Sequence, residues 1–387
     1  MYPLSILIIS GEDVHLRIPS IIELIKLGYE VSVAGPVEHP RFLQESIPFY
    51  KYSLVRAFDP WSDYHAIKQI QGIYKACSPD IVHAFDTKPC LLVPMAFGGK
   101  KGPHVVRTIN GMGAVFSESS VKMLLLRGVY LSLHFWLRGR LSATIFQNEG
   151  DMAFFKSYKL STDINSIKIA GSGVAVQEIE QRLALSNRSN IRKSLSLTGK
   201  TVFILVSRMI RSKGIEEFIT AADIVGQVTD TAHFLLVGPS GDNEPDSISE
   251  HLLDKLDGNI SYIGSRSDIY ELMGASDCFV LPTAYKEGLP RAMLEALVVG
   301  LPIVVSDTPG CLEGALAGEN GWVVPPKDSI ALSRAIIECL KLAPDKRKNM
   351  GIIGRAYAID RFGIDTVVSA MDQLYKGLYR DKHKSVE

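Results

Sequence analysis

Short runs of β-branched and aliphatic residues alternate along this chain with longer stretches in which apolar positions recur every three or four residues. That alternation predicts parallel β-α-β units, because a buried parallel strand is apolar on both faces and its crossover helix on one. A first strand is expected at SILIIS (5–10), an amphipathic helix near 18–27, and a second strand at YEVSVAG (29–35). DIVHAF (80–85), HVVRTIN (104–110), SATIFQN (142–148) and SIKIAGSG (166–173) continue the series. The pattern then restarts with TVFILVS (201–207), a helix over 214–227, HFLLVGP (233–239), NISYIG (259–264), CFVLPT (278–283), PIVVSD (302–307) and GWVVPP (321–326).

Two such series predict an α/β protein of two doubly wound, Rossmann-like domains facing each other across a cleft. The polar stretch QRLALSNRSNIRKSLSLTGK (181–200) reads as the linker, so the domains are expected at 1–180 and 190–363. A last helix, about 364–387, packs on either half as far as spacing can decide. A length of 387 residues suits two domains better than one.

Composition adds mostly exclusions. With 46% hydrophobic and 22% charged residues the chain is globular rather than disordered. Its 42 basic and 42 acidic residues cancel, which removes any global attraction to nucleic acid. Five cysteines, odd in number and without a CxxC spacing, read as buried thiols of a reducing compartment rather than a disulfide or zinc framework. No signal peptide and no apolar run of about 18 residues is recognised, so the expected location is cytoplasmic. VKMLLLRGVYLSLHFWLRGRLS (121–142) leaves two readings open: a packed helix with solvated arginines, or a basic-aromatic helix lying on an anionic membrane surface.

The richest chemistry lies in KEGLPRAMLEALVVGLPIVVSD (286–307), which sets Glu287 and Glu295 eight positions apart. Ligands of open α/β sheets bind beyond the carboxyl ends of strands, so Glu287, after CFVLPT, belongs to the binding edge. Pro290 suits the first turn of a helix running from Arg291 to Val299, with Gly300 as its stop and Pro302 beyond. The helix start offers free N–H groups to an anion, and Glu295 offers a carboxylate to neighbouring hydroxyls. A nucleotide-sugar fits that combination. In VSRMIRSKG (206–214), Arg208 and Lys213 follow a strand directly, where two cations can clamp a diphosphate leaving group. VGPSGD (237–242) adds a glycine-containing strand exit at Gly238 and Pro239.

These segments resemble the retaining glycosyltransferases of the GT-B fold, specifically family 4, whose E-x7-E pattern is read here as Glu287 and Glu295. SDCFVLPTAYKEGLPRAMLEALVVGLPIVVSDTPGCLEGALAGENGWVVPPKD (276–328) is similar to that family's donor block throughout. DIVHAFDTKP (80–89), TINGMGAVFSE (108–118), FQNEGDMAFF (146–155) and IAGSGV (169–174) resemble a bacterial branch that builds surface polysaccharides such as lipopolysaccharide and capsule on a polyprenyl-diphosphate carrier. The resemblance implies a hexosyltransferase in which Glu287 holds donor-sugar hydroxyls and Glu295 the ribose, while Arg208 and Lys213 hold the diphosphate. Gly288, Leu289, Gly238, Pro239 and Arg266 would complete the nucleotide side. Asn110, Gly111, Lys88 and Arg17 would face the acceptor, a lipid-linked saccharide. It also implies no metal and no other cofactor, since the nucleotide-sugar, most simply a UDP-sugar, is a substrate.

Three departures stand out. Asn110 occupies a position where the family often has histidine, Leu312 stands where a charge is expected ahead of Glu313, and the turn after the first strand, SGEDVHLR (10–17), keeps one glycine. In that turn His15 and Arg17 read either as acceptor contacts or as a solvated loop, and His83 reads as packed or capping. A nucleotide-sugar epimerase of the same fold and a non-catalytic nucleotide-sugar-binding protein remain as rivals. A dinucleotide dehydrogenase lacks its GxGxxG.

Overall fold

The computed structural model describes residues 3–55, 57–97, 102–117, 120–240 and 246–384. Glu118 of the TINGMGAVFSE segment and Gly241 and Asp242 of VGPSGD lie outside them. The chain divides into two compact units, Met1–Gly173 with Ile364–Glu387, and Val174–Gly363.

Among the described residues the first unit holds seven strands: β1 (Ser5–Ile9), β2 (Glu30–Gly35), β3 (Phe49–Lys51), β4 (Ile81–Phe85), β5 (His104–Ile109), β6 (Ala143–Phe146) and β7 (Ser166–Lys168). They pair in parallel in the order β3-β2-β1-β4-β5-β6-β7. The second unit holds β8 (Thr201–Val206), β9 (Ala232–Val237), β10 (Ile260–Tyr262), β11 (Cys278–Leu281), β12 (Ile303–Ser306) and β13 (Gly321–Val324). These are also parallel, in the order β10-β9-β8-β11-β12-β13. Both units are Rossmann-like. The strand β3 escaped the sequence reading because three residues, FYK, are too short to show a period.

Strand alternation explains the layering. Ile6 and Ile8 of β1 join Ile18, Ile21 and Leu24 of the Ile18–Lys26 helix on one face. Leu7 and Ile9 turn to the other face, with Ala66 and Ile70 of the Pro60–Cys77 helix and Cys90 and Val93 of the Pro89–Ala96 helix. The last helix, Ile364–Lys384, completes the first of these layers through Val367, Val368, Met371 and Tyr375. Tyr29 donates to the Asp372 carboxylate at 2.7 Å, and His83 Nδ1 meets the Tyr375 hydroxyl at 2.6 Å. The last helix therefore belongs to the first unit, and His83 is a packed core residue whose other nitrogen meets Thr108 at 2.7 Å.

The expected linker is a correction. Residues 181–200 carry the end of one helix, Val176–Leu185, and a second, Arg188–Ser194, both within the second unit. Their polarity is that of ion-pair partners: Arg182 meets Glu271 at 2.9 Å, and Arg188 and Arg192 meet Asp277 at 2.6 and 3.1 Å. The division falls between Gly173 and Val174, not at 180–190. Similarly SIKIAGSG is extended only over Ser166–Lys168. Four of the five free cysteines are buried and Cys77 is half-buried.

One buried cation ties the Val121–Leu137 helix to the sheet. Arg107 of β5 is fully buried and donates to His134 Nδ1, to Thr144 Oγ1 at 3.2 Å and to the Leu160 carbonyl at 3.0 Å. Burial pushes the Arg107 guanidinium down to about 10. Burial, with the charges of Arg17 and Arg107 adding to it, holds the His83 and His134 imidazoles well below their ordinary range. Both rings thus stay neutral in the fold, and their contribution to stability is complete above the unfolded-state value near 6.5 and lost as pH falls below it. Urea unfolding at pH 7.5 and pH 5.5 is expected to show that loss, up to about 1.4 kcal/mol per pH unit for each histidine. His83→Phe should flatten the slope even where it lowers stability itself, and an unchanged slope would refute the assignment.

Candidate active site

In the second sheet the strand order reverses between β8 and β11, so the loops leaving their carboxyl ends diverge and open a crevice. The chain then draws the two loops together. The Ser212 carbonyl accepts hydrogen bonds from the N–H groups of Ala284 and Tyr285 at 2.8 and 2.9 Å, and from Thr283 Oγ1 at 3.1 Å. Gly214 permits the approach: its φ is +79°, and a Cβ there would lie 2.2 Å from the Pro282 carbonyl oxygen. Across the junction Lys213 Nζ meets Glu287 Oε1 at 2.7 Å, with the two side chains only 11% and 17% exposed. The Tyr285 ring lies beside both cations, 5.3 Å from Lys213 Nζ and 6.0 Å from the Arg208 guanidinium. Arg208, Lys213 and Glu287, named from separate segments, therefore form one cluster. Beside it the Cys311 thiol is pushed up to about 12 by burial and then by the Glu287 charge, and stays protonated.

The helix after this loop spans Arg291–Val299 and ends at Gly300 in the left-handed region, φ +93°. Pro290 sits one residue earlier than expected: with ψ 111° it is the extended residue ahead of the helix rather than its first turn. Glu295 is buried, and its Oε1 accepts from Arg291 at 2.7 Å and from the Tyr270 hydroxyl at 3.3 Å. Gly288 and Leu289 are buried between Glu287 and the helix.

Gly238 and Pro239 brace the site from the side. The Gly238 N–H donates to the Gly264 carbonyl at 2.9 Å, its carbonyl accepts from Tyr262 at 2.9 Å, and Pro239 accepts from the Met209 N–H at 2.9 Å. At φ +142° a Cβ on Gly238 would stand 1.8 Å from the Ser207 carbonyl oxygen, so glycine is required there. Arg266 is half-exposed and engaged by its neighbour Asp268 at 2.7 and 2.8 Å.

The first sheet reverses between β1 and β4, and the loops there converge on Asp86, a residue the sequence reading passed over. Its carboxylate accepts from Ser10 Oγ at 2.5 Å, the Gly11 N–H at 2.8 Å and Asn110 Nδ2 at 2.8 Å. Burial pushes the Asp86 carboxyl up, but the Arg17 charge and these three donors outweigh it and hold it below the usual range. Arg17 is buried rather than solvated: it stacks 3.7 Å from the Phe85 ring centroid, donates to Ser172 Oγ at 2.8 Å, and lies 3.7 Å from Asp86. His15 stacks on His39 at 4.8 Å. Asn110 is held at both ends, its Oδ1 accepting from Gln147 at 3.0 Å, and Gly111 follows at φ +102°. Lys88 turns elsewhere, to Asp63 of the Pro60–Cys77 helix at 2.5 Å. The available signal for Asp86 was its place directly after β4, a strand at the reversal. Among the described residues no group of three or more His, Cys, Asp or Glu is placed to share a metal ion.

Two Rossmann-like units, the second with a lysine–glutamate pair and an arginine at its strand reversal, have the architecture of the GT-B fold. Residues 187–357 match the family model described as Glycosyl transferases group 1, and this part of the chain is such a domain. The chain is 29% identical over 344 residues to the N,N'-diacetylbacillosaminyl-diphospho-undecaprenol alpha-1,3-N-acetylgalactosaminyltransferase of Campylobacter jejuni, covering 87% of this chain and 89% of that one. It is 28% identical over 353 residues to the UDP-Gal:alpha-D-GlcNAc-diphosphoundecaprenol alpha-1,3-galactosyltransferase of Escherichia coli, covering 88% and 86%. Among solved structures, Anabaena HepE in complex with UDP-glucose shares the fold with a TM-score of 0.79 at 19% identity, covering 97% of this chain and 100% of that one.

The junction makes a direct prediction. Gly214→Ala forces a left-handed alanine against a backbone carbonyl and is expected to cost more than about 2 kcal/mol. Chemical denaturation measures this, and a loss under 0.5 kcal/mol, the ordinary range about surface positions, would mean that the two loops are not held as described.

Proposed function

We propose that this glycosyltransferase moves a hexosyl or N-acetylhexosaminyl unit from a UDP-sugar to a saccharide carried on polyprenyl diphosphate, with retention at the anomeric carbon, in surface polysaccharide synthesis. The observation that carries the reading is the Lys213–Glu287 pair beside Arg208. The printed activities of the Campylobacter and Escherichia relatives support the acceptor class. Lys213 and Arg208 take the diphosphate and stabilise the charge that develops on it as the bond from the anomeric carbon to the β-phosphate oxygen breaks. The bonding electrons leave with that oxygen. The acceptor hydroxyl forms the new bond on the same face, and its proton passes to the departing phosphate. Glu287 holds donor hydroxyls near the loosening carbon, and Glu295 offers the ribose the oxygen that Arg291 and Tyr270 leave open. The two cations supply the charge, so transfer needs no metal. Asn110, with both ends of its amide engaged, orients rather than exchanges protons.

The test is nucleotide release from a panel of UDP-sugars, with and without a polyprenyl-diphosphate-linked saccharide. Acceptor-dependent UDP release from one sugar, reduced about 10²–10³-fold in Glu287→Ala, is expected. Donor binding without release, alike in both proteins, would leave a binding protein, and interconversion of the sugar without transfer would leave an epimerase.

We also propose that the first unit rests on the membrane that holds the acceptor. On the Val121–Leu137 helix, Tyr130, His134 and Leu137 are buried, while Val121, Leu124, Leu125, Val129, Phe135 and Trp136 are exposed. At about 100° per residue those six share one face. Trp136 is 80% exposed and Leu125 70%, and Arg138 lies over the Phe135 ring at 3.5 Å. An apolar stripe with cations beside it suits an anionic lipid interface. No helix among the described residues is long and apolar enough to cross a membrane. Co-sedimentation with phosphatidylglycerol vesicles is expected for the wild type and is expected to fall at least tenfold in Leu125→Ser/Trp136→Ser. Absence of wild-type binding would overturn the proposal.

A further inference from the structure

We infer that the second unit has another anion site, on the sheet edge opposite the Lys213–Glu287 cluster, suited to a small phosphorylated metabolite. The inference stands on a cavity and its charges, and does not depend on the transfer reaction. The cavity has a volume of about 500 Å³, within the range of small-molecule sites. Ser276 and Asp277 line it just ahead of β11, and Leu301 and Pro302 just ahead of β12, at the amino ends of strands whose carboxyl ends lead toward Glu287.

Its charged lining is three cations, Arg188, Arg347 and Lys348, against the single carboxylate of Asp277. Asp277 is already answered, by Arg188 at 2.6 Å and by Arg192 at 3.1 Å, and it accepts from the Val202 N–H at 2.8 Å. Arg347 spends one nitrogen, Nη1, on the carbonyls of Cys339 and Leu342 at 3.1 and 2.7 Å, which close the Ser329–Lys341 helix. The Lys348 ammonium has no hydrogen bond or ion pair among the described residues. The 19-residue helix Pro344–Phe362 starts at the same place and adds the positive end of its dipole. Competing negative ends are muted, because Arg355 caps the Val298 carbonyl at the end of the Arg291–Val299 helix. Leu183, Val299, Leu301 and Pro344 supply apolar walls.

Arg188 is spent on Asp277 and on the Gly274 and Ser276 carbonyls at 2.5 and 2.9 Å, so the cations with unspent donors are Arg347 and Lys348. In a partly apolar cavity they match an anionic head on a compact organic body. The cavity also has a mechanical link to the other edge: Val299 and Gly300 line it, and nine residues back the same helix begins at Arg291, the partner of Glu295. A ligand bound there bears on the helix that positions Glu295.

Calorimetric titration of the full chain with inorganic pyrophosphate, in saturating UDP to occupy the Arg208–Lys213 site, tests the inference. One site per chain is expected, weakened at least tenfold by Lys348→Glu and unchanged by Lys341→Glu, a basic position outside the cavity. Lys348→Glu should leave UDP binding and basal nucleotide release unchanged, which separates a failure here from a failure of the transferase reading. Titration with glucose 1-phosphate and with AMP tells a sugar phosphate from a nucleotide, and binding of either that is lost in Lys348→Glu supports the site. No heat in the presence of UDP, or equal weakening by both glutamate variants, would overturn it.

Discussion

The second unit depends on one junction, at which the Ser212 carbonyl and the Lys213–Glu287 ion pair hold the loops after β8 and β11 together. A parallel sheet supplies the crevice automatically wherever strand order reverses, but it does not dictate how far the two loops stand apart. Here three donors converge on one oxygen, and Gly214 removes the side chain that would otherwise hold them off. A mostly buried pair of opposite charges is weak evidence for stability in itself, because desolvation offsets most of the attraction. Its value is geometric: removing Glu287 would leave the mostly buried Lys213 charge without that counter-ion, so the pair selects the arrangement that keeps both.

The first unit solves the same geometric problem with the opposite sign at its centre. Asp86 collects Ser10, Gly11, Asn110 and Arg17 around one carboxylate at the β1–β4 reversal. Its backbone is left-handed, φ +69°, a conformation that costs a non-glycine residue about 1–2 kcal/mol. Four partners on one side chain over-determine that strained position. A fixed negative centre also explains why Arg17 can be buried: with Asp86 at 3.7 Å and the Phe85 face at 3.7 Å, its charge is met from two directions.

Much of this architecture was readable beforehand because parallel strands buried on both faces leave continuous apolar runs, and twelve of those runs mark strands. The Arg291–Val299 helix and its Gly300 stop follow from glycine and proline chemistry alone. What misled was polarity. The 181–200 segment looks like a solvated linker because its arginines face Glu271 and Asp277, partners some 85 residues away that no local pattern reveals. Asp86 was missed for the same reason, since its donors come from two distant segments, 10–17 and the loop at Asn110. Lys88 illustrates the converse: a cation at the right strand end whose neighbour across the fold, Asp63, takes it.

The Lys213–Glu287 pair also bears on how a donor would be received. Without ligand, the carboxylate neutralises a lysine that is only 11% exposed, so that buried charge is compensated while the site waits. A diphosphate brings at least two negative charges to the same nitrogen, and Arg208, which also lies by the Tyr285 ring, is there to share them. On the proposed reading, arrival of the donor transfers Lys213 from carboxylate to phosphate and releases Glu287 toward the sugar hydroxyls. The leaving group and the residue that supports the positive carbon are then positioned by one exchange of partners. The lysine is ion-paired before and after that exchange, while Glu287 gives up an ion pair for hydrogen bonds to the sugar, and the junction at Ser212 keeps both partners within reach.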